Sequence, residues 1–336
     1  MSGIIQYIIT FLLYNNEAVV NQVGYTADES QWSNYRLVIV PNGHLGNKIV
    51  APDLEEVKVE PIGETDKEDK KRWIIHTDII YNTFFFISRA EEIINSQRDE
   101  HGRFLAKYSI LGQQNRLMIP TVDEYARMLM KMLYMPLPVP SFSKIYLTHD
   151  VDSIDHYRHL RGAIGGILRG QWRNVLASLR DIHNDPAFTF SWLISQDKKV
   201  EGAECIYFVK DTMGKGYDYP QYNLDGKDFE TVQQLIENSG AKIGLHSSYY
   251  GGKMTNVVVF THMVNKESVR EGDIVKIKDL YHRSHYLRCS IDNMQSLATF
   301  GTMHDFTMMF PDQVGFRLQT TRAVRWINPK TMQLTD

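Results

Sequence analysis

Apolar runs alternate with charged segments along the first 140 residues of the chain. Residues 36–40 (RLVIV) and 73–75 (WII) are typical of strands, and the polar segment 64–72 between them is typical of a solvent-exposed loop. Residues 78–94 begin with an acidic capping residue and continue with apolar positions that favour a helix. Residues 122–133 (VDEYARMLMKML) carry apolar positions at helical spacing and predict an amphipathic helix.

Strand-like and helix-like patterns also alternate in the second half of the chain. The segment 136–140 (PLPVP) contains three prolines, which exclude helix and favour a domain boundary. Beyond it, apolar runs predict strands at 144–148, 188–194, 205–209 and 242–245, and amphipathic patterns predict helices at 172–181 and 228–239. This alternation implies parallel strands. We therefore expect an N-terminal α/β domain at 1–140 and a β/α barrel or doubly wound sheet at 141–336.

Length and composition place the chain among ordinary globular proteins. Its 336 residues fit two domains, and the hydrophobic and charged fractions are 43% and 23%. The formal net charge of −3 gives no electrostatic reason for a nucleic acid or an anionic membrane as partner, so we expect neither. Residues 4–14 form an apolar run that is too short to span a bilayer and that predicts a buried strand or short helix.

Cysteine usage indicates the compartment. The chain contains only Cys205 and Cys289, and no Cys-x-x-Cys pair is present. A disulfide framework is therefore excluded, and a reducing compartment is indicated. We expect a cytoplasmic protein.

Three polar clusters follow predicted strands of the second half. They are 149–152 (HDVD) after the strand at 144–148, 246–248 (HSS) after the strand at 242–245, and 283–288 (RSHYLR) after a candidate strand at 275–277. The carboxyl ends of parallel strands meet at one edge of a sheet, so these clusters are expected to lie together. Carboxylate and imidazole groups bind zinc and related metals, and an open coordination position holds the attacking water in hydrolytic sites.

Each cluster also has a structural interpretation. HDVD is the composition of a strand-end turn with capping aspartates, and His246 has the pattern of a hydrogen-bonded core histidine. Ser247 and Ser248 are residues that cap helices, and RSHYLR suits a solvent-exposed basic turn. Their joint placement at strand ends favours a functional site. The glycine-rich segment 162–170 (GAIGGILRG) lacks the spacing of a dinucleotide-binding or phosphate-binding loop.

Several segments resemble motifs of a polysaccharide deacetylase-like family found in bacterial surface-polysaccharide loci, which is related to carbohydrate esterase family four. In the second half they are 147–152 (LTHDVD), 244–251 (GLHSSYYG), 283–288 (RSHYLR) and 310–317 (FPDQVGFR). Segments 77–92, 98–104 and 122–126 resemble the uncharacterised domain that precedes this barrel in such proteins. The resemblance implies a distorted (β/α) barrel of the polysaccharide deacetylase type, preceded by a smaller α/β domain.

The resemblance also implies the site residues. Asp150 corresponds to the general base that acts on the attacking water, and Arg283 corresponds to the arginine that orients it. His246 corresponds to a metal ligand. Val151 stands where the family has a second, ligating aspartate, and Tyr250 stands where it has a second ligating histidine. The implied ligands of a divalent metal, zinc by expectation, are therefore Asp152, His246 and His285, and the implied substrate-binding residues are Ser247, Tyr250, Asp312 and Arg317.

The function implied by the resemblance is metal-dependent deacetylation of an acetylated saccharide, by hydrolysis of a C–N or ester bond. Family members usually continue into a strand whose leucine–histidine motif supplies a general acid, whereas this sequence ends at Asp336. We expect either a C-terminally incomplete barrel or a member that lacks this histidine. Val151 and Tyr250 also motivate an alternative, a deacetylase-like protein that binds saccharide or acts in assembly without turnover. Hydrolysis of another C–N bond stays open because a fold does not fix a substrate.

Overall fold

A computed structural model describes residues 2–63, 70–139, 144–210, 216–219, 222–250, 280–298 and 303–335 of the chain. The chain divides into two compact units, a first unit of Met1–Pro140 and Met308–Asp336, and a second unit of Ser141–Thr307. The sequence predicts residues 308–336 to belong to the second domain. The structure groups them with the first unit because the side chains of Phe310 and Ile327 are buried in that unit's core.

The first unit contains a four-stranded sheet with the strand order β1-β2-β4-β3. Strands β1, β2 and β4 are parallel, and β3 is antiparallel to β4. The strands of this unit are β1 Val23–Tyr25, β2 Leu37–Ile39, β3 Val59–Ile62 and β4 Arg72–Ile75, with a separate ladder of β10 Ile327–Asn328 and β11 Gln333–Leu334. Its helices are α1 Ser2–Leu12, α2 Glu17–Val20, α3 Ile79–Ile87, α4 Glu91–Ile94, α5 Ile110–Gln113 and α6 Thr121–Met132.

These elements confirm the predicted strands at 36–40 and 73–75 and the helix at 122–133. The predicted helix at 78–94 is present as α3 and α4. Asp78 caps α3, since its Oδ1 atom accepts a hydrogen bond from the backbone N–H of Tyr81 at 2.9 Å. Most of the apolar run 4–14 lies in helix α1, Ser2–Leu12, which is the helical one of its two predicted alternatives. Residues 64–69 of the predicted loop lie outside the described residues.

Among the described residues, no helix combines the length and the apolar character needed to cross a membrane.

The second unit contains a five-stranded parallel sheet in which consecutive strands are neighbours, in the order β5-β6-β7-β8-β9. The strands are β5 Ile145–Val151, β6 Ala203–Lys210, β7 Lys242–Ser247, β8 Leu280–Ser284 and β9 Met303–Asp305. Among the described residues of this unit, the helices are α7 Leu160–Leu168, α8 Trp172–Arg180, α9 Phe190–Asp197, α10 Lys227–Asn238 and α11 Ile291–Ala298. A doubly wound sheet reverses its strand order at a switch point, and these five strands do not reverse. They form a curled half-barrel; a complete deacetylase-type barrel stays a prediction.

Two predictions for this unit differ from the structure. The strand predicted at 188–194 is wrong, because Phe190–Asp197 form helix α9. Aromatic and β-branched residues suggested a strand, but Phe190, Leu193 and Ile194 recur at helical spacing and pack together against the core. The candidate strand at 275–277 lies outside the described residues, and the polar segment RSHYLR begins inside β8.

Alternation along the strands gives the parallel sheet two different faces. One face packs against the helices through side chains that include Val151, Tyr207, Val209 and Leu245. The opposite face buries Ile206, Phe208 and Tyr281. Side chains alternate with a period of two, so the functional residues near the strand ends are divided between these faces.

Gly244 of β7 lies beside Phe208 and shows how closely the second face is packed. A Cβ atom at this position would lie 2.7 Å from the Phe208 ring. A side chain larger than hydrogen therefore requires Phe208 to move.

Candidate functional site

A pocket of about 390 Å³ lies in the second unit where strands β5 to β8 end. Its lining residues are Asp150, Asp152, Lys210, Tyr217, Tyr219, His246, His285, Tyr286 and Leu287. The carboxyl end of a parallel sheet is the usual location of functional groups in α/β folds. Tyr286 and Leu287 adopt positive φ angles of 60° and 55°. Such backbone strain in residues other than glycine is concentrated at functional sites.

Three ligand-type side chains converge in this pocket: Asp152, His246 and His285. The Oδ1 atom of Asp152 lies 3.6 Å from Nε2 of His246 and 3.2 Å from Nε2 of His285. Their ligand atoms all lie within 4.8 Å of one another. In a tetrahedral zinc site with bonds of about 2.0–2.1 Å, ligand atoms are separated by roughly 3.3 Å. The residue types and these separations therefore fit a divalent metal.

Hydrogen bonds hold both imidazoles with Nε2 towards Asp152. The Nδ1 atom of His246 donates to the backbone carbonyl of Arg283 at 2.9 Å. The Nδ1 atom of His285 pairs with Oδ1 of Asp218 at 2.9 Å. A carbonyl or carboxylate that fixes Nδ1 in this way sets the tautomer that presents Nε2 to a metal.

The protonation of the three side chains follows from their surroundings. Burial lowers the pKa of His246 to about 4, so its imidazole is neutral at pH 7. The hydrogen bond from His285 is the main cause that lowers the pKa of Asp152, which is therefore a carboxylate. Burial opposes the protonated form of His285, but hydrogen bonds to Asp152 and Asp218 outweigh it and raise its pKa to about 9. A cation that binds His285 would displace this proton.

Asp150 lies beside the three ligand-type residues and is held by Arg283. Its Oδ1 atom accepts a hydrogen bond from Nη1 of Arg283 at 2.9 Å, and its Oδ2 atom lies 4.0 Å from Nε2 of His246. Arg283 also donates to the Thr148 hydroxyl at 2.9 Å and stacks 4.7 Å above the Phe208 ring. The guanidinium is thus fixed on two sides, and one oxygen of Asp150 remains directed towards the pocket.

Two charged residues of the site, Lys210 and Asp218, are not among the residues predicted from the sequence. Lys210 ends β6, is 4% exposed and donates from Nζ to the carbonyl of Asp218 at 3.0 Å. Burial lowers the pKa of Lys210, and the negative charges of Asp152 and Asp218, which raise it, have a smaller effect. A lysine that ends an apolar strand, as in 205–210 (CIYFVK), is the signal that could have identified it. Asp218 lies in a short 3₁₀ turn, Gly216–Asp218, and has no comparable signal.

His149 and Ser247 point to the other face of the sheet. Nε2 of His149 lies 3.0 Å from both carboxylate oxygens of Asp197, which supports the structural interpretation of this histidine. The Ser247 hydroxyl lies 2.9 Å from Nε2 of His282, whose Nδ1 atom pairs with Asp305 at 2.7 Å. His282 is fully buried, so this Ser-His-Asp chain is closed to a substrate. Alternation thus turns Ser247 away from the pocket, and its expected role in substrate binding stays a prediction.

The lining of the pocket does not include the other expected substrate-binding residues, Tyr250, Asp312 and Arg317. Tyr250 is 59% exposed, and its ring packs against that of Tyr249 rather than among the described residues that line the pocket. Asp312 and Arg317 belong to the first unit. There, Asp312 accepts a hydrogen bond from the backbone N–H of Ala106 at 2.9 Å.

Arg317 is part of a buried ion network of the first unit. It donates to Oε1 of Glu92 at 2.6 Å, and Arg89 donates to the same carboxylate at 2.8 Å. Burial opposes the charge of Glu92, but the two arginines outweigh it and lower its pKa to about 2. In the structure Arg317 therefore forms an ion pair inside the first unit, and its expected contact with a substrate stays a prediction.

Residues 4–138 match a family of unknown function (DUF7033). No curated protein matches the chain, and no solved structure matches it. The family match lies within the first unit and ends before the residues of the pocket.

Proposed function

We propose that the second unit is a metal-dependent hydrolase of the polysaccharide deacetylase type, which removes an acetyl group from a saccharide. One observation carries this proposal. Asp152, His246 and His285 come from three separate segments of the sequence and meet in one pocket, beside an aspartate that an arginine holds. Structural ion pairs alone do not require two histidines to present Nε2 to the same carboxylate oxygen.

The metal-binding residues are proposed to be Asp152, His246 and His285. A set of two imidazoles and one carboxylate with room for a further ligand is typical of catalytic zinc sites, and zinc is the proposed ion. When bound there, the ion would supply the Lewis acidity that makes water and an acyl carbonyl reactive at neutral pH.

Asp150 is proposed as the general base. Arg283 fixes Oδ1 of Asp150, so that Oδ2 is the oxygen available to accept a proton from water in the pocket. Lys210 brings a buried positive charge to the same pocket and would stabilise the negative charge that develops on the acyl oxygen.

A saccharide is proposed as the substrate because the pocket combines charged groups with exposed aromatic rings. Tyr217 and Tyr219 line it and are 47% and 45% exposed. A ring of this kind offers a flat apolar face and a polar hydroxyl, which suit the faces and hydroxyl groups of a sugar. Cys205 and Cys289 are free thiols, which supports a reducing compartment, and the proposed location is the cytoplasm.

Metal analysis and acetate release test the proposal together. The full chain is stripped with a chelator, reloaded with zinc and assayed for acetate release on a panel of N- and O-acetylated sugars. We expect zinc-dependent release that falls about 10²–10⁴-fold in Asp150→Asn, the usual contribution of a general base. Asp225→Asn is the matched control, since Asp225 is an exposed aspartate of the same unit.

Two results would contradict the proposal. One is a folded protein that neither binds a divalent metal nor releases acetate. The other is saccharide binding that is insensitive to chelators and occurs without turnover, which would support the non-catalytic alternative.

A further inference from the structure

Helix α7 exposes its large apolar side chains and buries two of its three glycines. Leu160 and Leu168 are 78% and 81% exposed, and Ile164 and Ile167 on the same face are about half exposed. The buried residues of this helix are Gly162 and Gly166. A Cβ atom on Gly166 would lie 2.6 Å from Val175 of α8, so the glycine face is the one that packs. An ordinary surface helix has the opposite arrangement, with large apolar residues in the core.

Helix α8 continues the apolar surface. Trp172, Leu176 and Leu179 recur at helical spacing and are 51%, 46% and 48% exposed. Val175 and Ser178 are the buried residues of this helix. We call the exposed apolar side chains of α7 and α8, together with the arginines beside them, the α7–α8 surface. An apolar patch that extends over two helices marks a surface that binds a partner.

The charged residues within α7 and α8 are all arginines, and the exposed Asp181, which pairs with His183, follows α8 directly. Residues 156–180 contain five arginines and neither aspartate nor glutamate, although the chain as a whole carries a net charge of −3. Arg158 is paired with Asp228. The other four are Arg161, Arg169, Arg173 and Arg180; all four are exposed, and within the described parts of the chain no ion pair involves them.

We propose that the α7–α8 surface binds a bilayer that contains anionic lipids, with the two helices lying in the membrane plane. Leucine, isoleucine and tryptophan side chains enter the boundary between headgroups and acyl chains, while arginines at the rim contact lipid phosphates. Arg173 lies 5.1 Å from the Trp172 ring, which places a positive group beside an interfacial aromatic residue. This inference departs from the expectation, drawn from net charge alone, that no membrane is a partner.

The α7–α8 surface begins next to the pocket. The guanidinium of Arg161 lies over the ring of Tyr219 at 5.8 Å, and Tyr219 lines the pocket. Attachment through α7 would therefore hold the pocket close to the headgroups. Membrane binding itself does not depend on the hydrolase proposal, because it concerns a different set of side chains.

Co-sedimentation of the full chain with vesicles tests the proposal. The chain is mixed with vesicles of phosphatidylcholine and phosphatidylglycerol, or of phosphatidylcholine alone, and we expect binding to the anionic vesicles that weakens as salt is added. The double variant Leu160→Gln/Leu168→Gln should bind at least about tenfold more weakly, since two leucines no longer enter the bilayer. Arg161→Gln/Arg173→Gln should bind about 25-fold more weakly, because each arginine removed should weaken binding roughly fivefold.

Matched controls use residues outside the surface. Val314→Gln replaces an apolar residue that is 79% exposed, and Arg127→Gln replaces an exposed arginine of α6. Both should bind as the wild type does. Brominated lipid should quench part of the tryptophan fluorescence, and this part should disappear in Trp172→Phe. The chosen side chains are exposed, so circular dichroism should show that all variants fold.

Three results would overturn the proposal. The first is a wild type that does not sediment with anionic vesicles. The second is equal binding by the surface variants and the controls. The third is a wild type that does not bind vesicles but self-associates in sedimentation velocity, when the variant Leu160→Gln/Leu168→Gln does not self-associate. This result would assign the surface to a second copy of the chain.

Discussion

Replacing Asp218 with asparagine should weaken zinc binding although Asp218 is not one of the proposed ligands. Asp218 is 1% exposed, and its Oδ1 atom pairs with Nδ1 of His285 at 2.9 Å. Asparagine keeps the shape of the side chain but removes its charge. Hydrogen bonds to a charged group contribute about 1.5–3 kcal/mol and those between neutral groups about 0.5–1.5 kcal/mol, so the loss is about 1–1.5 kcal/mol, or roughly tenfold in Kd. Carboxylates that support ligating histidines usually contribute about 10–100-fold.

Asp305→Asn provides the matched control for this measurement. The Asp305 side chain is 9% exposed and also pairs with a histidine Nδ1 atom, that of His282 at 2.7 Å, but on the other face of the sheet. Zinc affinity of each full-length variant is measured by competition with a fluorescent chelator, and stability by urea denaturation. Both variants should lose stability, whereas only Asp218→Asn should lose zinc affinity. An unchanged Kd in Asp218→Asn, or an equal fall in both variants, would refute the reasoning.

Three further outcomes follow from the structure. Arg283→Lys should bind zinc as the wild type does but release acetate at least about tenfold more slowly, because lysine cannot replace the planar fork that holds Asp150; equal rates would count against this positioning role. The pKa of Glu92 is about 2 in the folded state and 4.5 in the unfolded state. Glu92 should therefore contribute about 3 kcal/mol to the free energy of unfolding above pH 4.5, and this contribution should be lost as the pH falls towards 2. Urea denaturation between pH 7 and pH 2 checks this, since Glu92→Gln should lack that part of the pH dependence. Gly244→Val should destabilise the second unit by roughly 1–3 kcal/mol, because Phe208 must move, and a thermal transition at the wild-type temperature would contradict the close approach described here.

The alternation of patterns was sufficient to predict most elements of the sheet that carries the site. Asp150, Asp152 and His246 were found because polar residues that follow apolar strands in a parallel fold end at the same edge. His285 belonged to the third polar cluster on the same grounds, and the resemblance added its role as a ligand; the strand expected before this cluster lies outside the described residues.

What could not be predicted depends on contacts between distant residues. Helix α9 was missed because its residue types favour strands although their spacing is helical. Asp218 gives no local signal, because its role is defined by a histidine 67 positions away in the sequence. Phe310 and Ile327 lie in the core of the first unit, and no local pattern in the sequence predicts this either.

Residues 308–336 belong to the first unit although they follow the second unit in the sequence, and this has a consequence for folding during translation. A ribosome releases the N-terminal residues first, and domains usually fold in that order. Here the N-terminal segment stays without Phe310 and Ile327 until every residue of the second unit has left the ribosome. The later-encoded unit can therefore finish folding before the earlier one, and a gene fragment that ends at residue 140 would yield a protein with part of its interior missing.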